Sequence, residues 1–291
     1  MSCASRILYL PNDVIYCRLQ GDDSLYGLGL RLGTYLLWAT TVIANNASPR
    51  RLPFVRTLST CYQFATLIAI LYRSTGHASL FALDVHILLT LCVGGLLTST
   101  LPPRPSSTWL ATLQSFTHLD VSSLGGIMRL FVLPASSGYG LWYVFSGMDG
   151  FCRSTCTNEV VFFFAKVKLF GWYRSLLKSL FSIMTFSVIV SLFATLARSV
   201  ARNRSRSETT KEEKNREKEP RFGLLVIGTA TITIFIVAIE LPLYWNRTVG
   251  VSSCHSAAEL LPIVVAAAAL CETLRCISGD FGLGKVRLRE N

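Results

Sequence analysis

The chain has 291 residues, of which 51% are hydrophobic and only 15% charged. Soluble domains carry roughly a quarter charged residues, and no stretch outside the apolar segments is long enough to build a core, so a separate water-soluble domain is excluded. The net charge of +11 does not point to nucleic acid, because no recognised nucleic-acid-binding motif accompanies it. A Lys/Arg excess is instead what loops facing anionic lipid carry.

In chain order, residues 1–24 read as a non-cytoplasmic tail. A cleavable signal is not expected in it, since the apolar run Ile7–Leu10 is too short and Pro11 ends it. Seven apolar stretches follow, at 25–44, 57–72, 80–100, 122–146, 176–197, 222–244 and 257–277. They lack strand alternation and lie near the ~20 residues that a helix needs to cross a bilayer. The expected fold is therefore all-α: a polytopic transmembrane helical bundle of about seven spans. The second stretch is short and rich in small polar residues.

Helices 1–5 fall within 25–197 and helices 6–7 within 222–277, separated by a charged loop at 198–221. That loop holds nine basic and five acidic residues, including Glu212 and Arg216, spaced as a mixed-sign surface pair. It reads as a cytoplasmic spacer and topology signal, with anionic-lipid attachment or phosphorylation at Ser205, Ser207, Thr209 or Thr210 as its functional readings. Placing it inside puts 17 of the 28 Lys and Arg on cytoplasmic segments and 8 outside, as the positive-inside rule requires. The N-terminus is then non-cytoplasmic, and residues 278–291 form a basic cytoplasmic tail. The exception is the cationic, aromatic segment near 158–175. It is expected to be an amphipathic helix lying in the interface or the early part of helix 5.

Cys152, Cys156 and Cys254 fall outside in this topology. Cys152 and Cys156 suit a small disulfide loop in an oxidising compartment, and either one paired with Cys254 would tie two loops together. Cys61, Cys92 and Cys271 read as core packers. No Cys/His spacing resembles a zinc site, and no cofactor or metal is expected. Asn246-Arg247-Thr248 is a glycosylation acceptor on an outer loop.

Ionisable residues within spans are costly, at about 2.5–3.5 kcal/mol near the helix centre. Arg31, Asp84, His86, Glu240 and Glu259 form the candidate intramembrane polar site. Arg31 can pair with Asp84, Glu240 or Glu259, all in the outer half. Arg129 lies toward the inner half as a headgroup anchor. Retinal chemistry is excluded, because the seventh span has no central Lys. The Asp-Arg-Tyr and Asn-Pro-x-x-Tyr signatures of the large seven-helix receptor family are also absent.

Three pieces carry a resemblance: Asp23-Ser24-Leu25-Tyr26-Gly27-Leu28-Gly29-Leu30-Arg31-Leu32-Gly33-Thr34-Tyr35-Leu36; Tyr139-Gly140-Leu141-Trp142-Tyr143-Val144-Phe145 with Met148-Asp149 and Phe162-Phe163-Phe164-Ala165-Lys166-Val167; and Glu240 through Asn246 with Glu259-Leu260-Leu261-Pro262. With these the chain resembles a group of uncharacterised fungal multi-span integral membrane proteins. Many of that group carry Gly-Gln before Leu-x-Pro, where this chain has Ala258-Glu259. The resemblance implies a multi-span fold and brings no activity with it.

Trp142, Tyr143, Phe145, Trp172 and Tyr173 read as outer interfacial anchors, with a sterol or prenyl cage as the alternative. The leading functional reading is a scaffold, sensor or small-solute carrier in an endomembrane or plasma membrane. Its partner is the lipid bilayer, with anionic lipid at 198–221, and the sequence identifies no protein partner. Two matched broken-helix repeats, the mark of many carriers, are absent. The enzyme alternative resembles the small integral-membrane terpene cyclases of fungal specialised metabolism. There an intramembrane carboxylic acid, Glu240 or Asp84, would protonate an alkene or epoxide, and aromatic faces would stabilise the cation.

Overall fold

A backbone surrounded by apolar atoms must satisfy its own hydrogen bonds, and the long apolar runs of this chain do so as helices. The computed structural model describes residues 7–8, 18–47, 51–75, 80–100, 124–152, 159–204, 222–254 and 257–287. Its long elements are α1 (Leu28–Ala47), α2 (Leu52–Thr75), α3 (Ala82–Thr100), α4 (Leu124–Trp142), α5 (Trp172–Arg204), α6 (Phe222–Trp245) and α7 (Ala257–Arg287). Five of these contain segments long and apolar enough to cross a membrane: Leu52–Thr75, Ala82–Thr100, Trp172–Ala197, Leu225–Trp245 and Glu259–Ser278. Gly, Ser, Thr and Arg dilute the apolar content of α1 and α4.

Three boundaries differ from the sequence expectation. The second stretch, expected to be short, is a helix of 24 residues, because Thr57, Thr60 and Thr66 each bond a carbonyl one turn back and so fit inside it. α5 runs on to Arg204, into the segment read as a charged loop, and α7 runs on to Arg287, into the basic tail. Lys and Arg are good helix formers, so loss of hydrophobicity alone does not end a helix. Ser205, Ser207, Thr209, Thr210, Glu212 and Arg216 lie outside the described residues.

α3 is the central helix: 83% of its apolar window is buried, against 0% for α5. It packs against α1, α2, α4 and α6, while α5 lies against α4 and α7 against α1. The α1–α7 contact is the most extensive among the described helices, and glycine allows it. A Cβ on Gly29 would collide with the Glu259 carbonyl, and one on Gly33 would lie 2.6 Å from the Pro262 carbonyl carbon. Gly29 and Gly33 are four residues apart, the small-xxx-small spacing that lets helix backbones approach. Because Gly29 faces Glu259 and Gly33 faces Pro262, the two helices run parallel.

One end of the bundle is capped by short β elements. β1 (Ile7–Leu8) pairs antiparallel with β2 (Arg18–Leu19), and Gln20 bridges Val249 after α6. β3 (Val160–Phe162) and β4 (Lys166–Lys168) form an antiparallel hairpin with Val161 opposite Val167. This corrects the expectation of a helix over 158–175: the segment is a hairpin up to Lys168, and α5 begins only at Trp172. β-branched and aromatic residues at 160–164 favour a pleated surface, and the period-two Lys166-Val167-Lys168 pattern half-buries valine while exposing both lysines.

α4 continues through a π-helical turn, Tyr143–Gly147, into Met148–Gly150. Such turns leave carbonyls without their usual partners. Here Arg174 of α5 donates to the Val144 carbonyl (3.0 Å) and the Phe145 carbonyl (3.2 Å). The same guanidinium grips Asp149 at 3.0 and 2.7 Å.

Candidate functional site

The candidate polar residues separate into two networks and one isolated ring. Arg31, one turn into α1, has its side chain only 3% exposed and pairs with Glu240 at 2.7 Å. Its second terminal nitrogen donates to the Val251 carbonyl at 2.8 Å, and the other Glu240 oxygen accepts from the Tyr35 hydroxyl at 2.8 Å. Of the three acids that sequence offered Arg31, Glu240 is the one paired. Glu259 is buried where α7 begins, with its carboxylate beside Gly27.

Asp84 belongs to the second network. It is fully buried in the first turn of α3, accepting from the Tyr26 hydroxyl at 2.5 Å and from the Phe81 amide at 3.2 Å. Glu159, just before β3 and 2% exposed, accepts from the Leu83 amide at 3.1 Å. Two carboxylates thus meet the first amides of α3, where free N–H groups and the helix dipole favour negative charge. Tyr143 completes the arrangement by donating to the Ala82 carbonyl at 2.8 Å.

His86 joins neither network. It lies one turn further into α3, at the wall of a 310 Å³ cavity. α3 forms the back of this cavity with His86, Leu89 and Thr90; α5 contributes Tyr173, Leu177 and Leu180; α6 contributes Ile234 and Ala238. The tip of the β3–β4 hairpin, Phe162–Phe164, forms the roof. Leu180 and Ile234 are 50% and 52% exposed, so the cavity opens sideways between α5 and α6. Phe164 sits at φ 55°, a left-handed backbone that an aromatic residue adopts at a cost of about 1–3 kcal/mol, and such strain concentrates at ligand clamps and active sites.

No family model matches the chain, and no curated protein or solved structure matches it. The resemblance to fungal multi-span proteins therefore rests on the quoted residues alone, and the site must be read from its own chemistry.

Glu240 and Asp84 are both held as hydrogen-bond acceptors, and neither lines this cavity. Among the described residues no group of three or more His, Cys, Asp or Glu side chains could hold a metal ion. Asn246, the glycan acceptor by sequence, is 2% exposed. Its amide donates to the Val160 and Pro242 carbonyls, both at 2.7 Å, and its oxygen accepts from the Val160 amide at 3.0 Å. Its side chain clamps the hairpin to the end of α6.

Cys152 is disulfide-bonded. Cys254 is a free thiol, as are Cys61, Cys92, Cys271 and Cys276. The Cys254 pairings that sequence allowed are therefore not formed, and the partner of Cys152 lies outside the described residues, as does Cys156. Cys92 is buried in the core, whereas Cys271, read as a core packer, is exposed. Arg129 donates to the Thr60 hydroxyl at 3.1 Å.

The aromatic group also divides. Trp142, Phe145 and Trp172 are exposed, but Tyr143 and Tyr173 are buried, one as a helix-end partner and the other as a cavity wall. Sequence reasoning missed Tyr26, Tyr35 and Glu159. The two tyrosines look like core residues of an apolar run, and Glu159 looks like a loop acid. The Gly29/Gly33 spacing was a legible signal.

Proposed function

We propose that the chain crosses the bilayer seven times and acts as a sensor or carrier of an apolar molecule that enters from lipid between α5 and α6. The observation that carries this reading is the cavity itself. Its volume lies at the lower end of the ligand-pocket range, ~300–1,000 Å³, its walls are almost wholly apolar, and exposed Leu180 and Ile234 line it on the side between α5 and α6. The strained roof residue Phe164 is a second support. α1 and α4 complete the seven crossings, and for α4 the contacts at its two ends support this, since they lie at opposite ends of the bundle. Gly125 of α4 meets Thr57 of α2, whereas Tyr143 reaches the start of α3.

In this reading the N-terminal tail and the hairpin face the non-cytoplasmic side, and the charged segment and C-terminus face the cytoplasm. The Lys/Arg distribution supports that orientation, as does the disulfide of Cys152 at the capped end. Trp142 and Trp172 then sit at headgroup level. The 198–221 segment lies against anionic lipid, in an endomembrane or the plasma membrane.

The reading is tested by extracting lipids from the protein purified in mild detergent and comparing the parent with Ala238→Trp, which fills the cleft. The parent should retain a defined apolar species, and the variant about tenfold less of it, as a loss of ~1.4 kcal/mol of binding gives. Equal retention by two folded proteins would remove the cleft as a binding site.

A further inference from the structure

We propose that the cleft recognises its occupant by one hydroxyl group, docked between His86 and Tyr173, so that the ligand is a monohydroxy lipid; this rests on the cleft being a binding site. Both side chains line the cavity. His86 is 7% exposed and Tyr173 6%, and their rings meet edge to face at 5.7 Å. Among the described residues neither the imidazole nor the Tyr173 hydroxyl has a hydrogen-bond partner, although the other buried tyrosine hydroxyls, of Tyr26, Tyr35, Tyr139 and Tyr143, all do. Neither group is among the fully buried atoms left without a partner, so both open onto the cavity, where an occupant can satisfy them.

The chemistry of the two groups narrows what can satisfy them. A neutral imidazole and a phenol each donate and accept, and a hydroxyl, which also does both, can bridge them. An anionic headgroup or a fatty carboxylate would enter uncompensated, because no Lys or Arg lines the cavity and a buried unpaired charge is disfavoured. Position agrees. Tyr173 is the second residue of α5 and His86 lies in the first turns of α3, at the capped end, while Val93, Met184 and Phe235 continue the wall deeper into the bundle. A monohydroxy lipid lies in a leaflet in the same way, hydroxyl at the surface and hydrocarbon below.

The test is equilibrium binding of two matched pairs to the protein in nanodiscs: cholesterol against its 3-methyl ether, and farnesol against its methyl ether. Parent protein should bind the alcohol of one pair about tenfold more tightly than the ether, the effect of one hydrogen-bonding network worth ~1.4 kcal/mol. The pair showing the preference distinguishes a fused-ring from a linear skeleton. His86→Phe and Tyr173→Phe should each reduce the preference to about threefold or less while ether affinity holds, which an effect on folding alone would not produce. Equal affinity of alcohol and ether in the parent, or an unchanged preference in both variants, overturns hydroxyl recognition and leaves the cleft standing if Ala238→Trp still lowers binding. Absence of saturable binding, or binding that Ala238→Trp does not reduce, overturns the cleft and this proposal with it.

Discussion

Arg31 is a charge that the fold has to accommodate, and it does so with a carboxylate, a backbone carbonyl and a nearby phenol. Breaking a buried pair by removing one partner costs about 3–5 kcal/mol, whereas replacing both with apolar groups is often close to neutral. Glu240 is 41% exposed, so the lower end of that range applies. Arg31→Met and Glu240→Leu are each expected to lower the melting temperature in detergent markedly. The double variant should melt above either single one, and strictly additive losses would show that the pair is not coupled. Arg31 was legible in the sequence because a charge in an apolar run has few tolerable explanations. Its choice of Glu240 over Asp84 was not, because that depends on how α1, α3 and α6 are placed. Tyr173 shows the opposite limit. Interfacial anchors and cavity walls draw on the same residue type, and only the packing of the Phe162–Phe164 tip against α5 separates the two roles.

At the scale of elements, apolar length identified the helices, since the seven long helices among the described residues all overlap the apolar stretches. Their ends were less legible, because helix propensity outlasts hydrophobicity in α5 and α7. The 158–175 segment was misread because aromatics mixed with cations fit an interfacial helix as well as a hairpin. What decides between them is Asn246, which supplies strand-like partners to Val160 from outside the segment. The α1–α7 contact yields a prediction of its own. Gly29→Ala and Gly33→Ala place a methyl group against backbone that cannot yield, and overpacking of this kind costs about 1–3 kcal/mol or more. Gly138→Ala meets nothing within 4 Å and should leave the melting temperature within error of the parent. If all three variants melt alike, the close α1–α7 approach is wrong.

The whole molecule turns on whether α1 and α4 cross, because composition alone marks only five helices as able to do so. Interior helices face protein as well as lipid, so α1 tolerates Gly29, Arg31, Gly33 and Thr34 where a lipid-facing helix would not. With seven crossings, the end of α2 and the tip of the β3–β4 hairpin share one side of the membrane. With five, they lie on opposite sides. The Tyr143–Ala82 bond and the Phe81–Cys152 bridge support the first arrangement. The direct measurement is labelling of intact, sealed vesicles with a membrane-impermeant maleimide, using Thr75→Cys and Phe164→Cys separately, after the free cysteines among the described residues, Cys61, Cys92, Cys254, Cys271 and Cys276, have been changed to serine and with the labelling of that serine-substituted parent subtracted. Seven crossings predict that both positions label from the same side, and labelling from opposite sides would contradict the bundle described here.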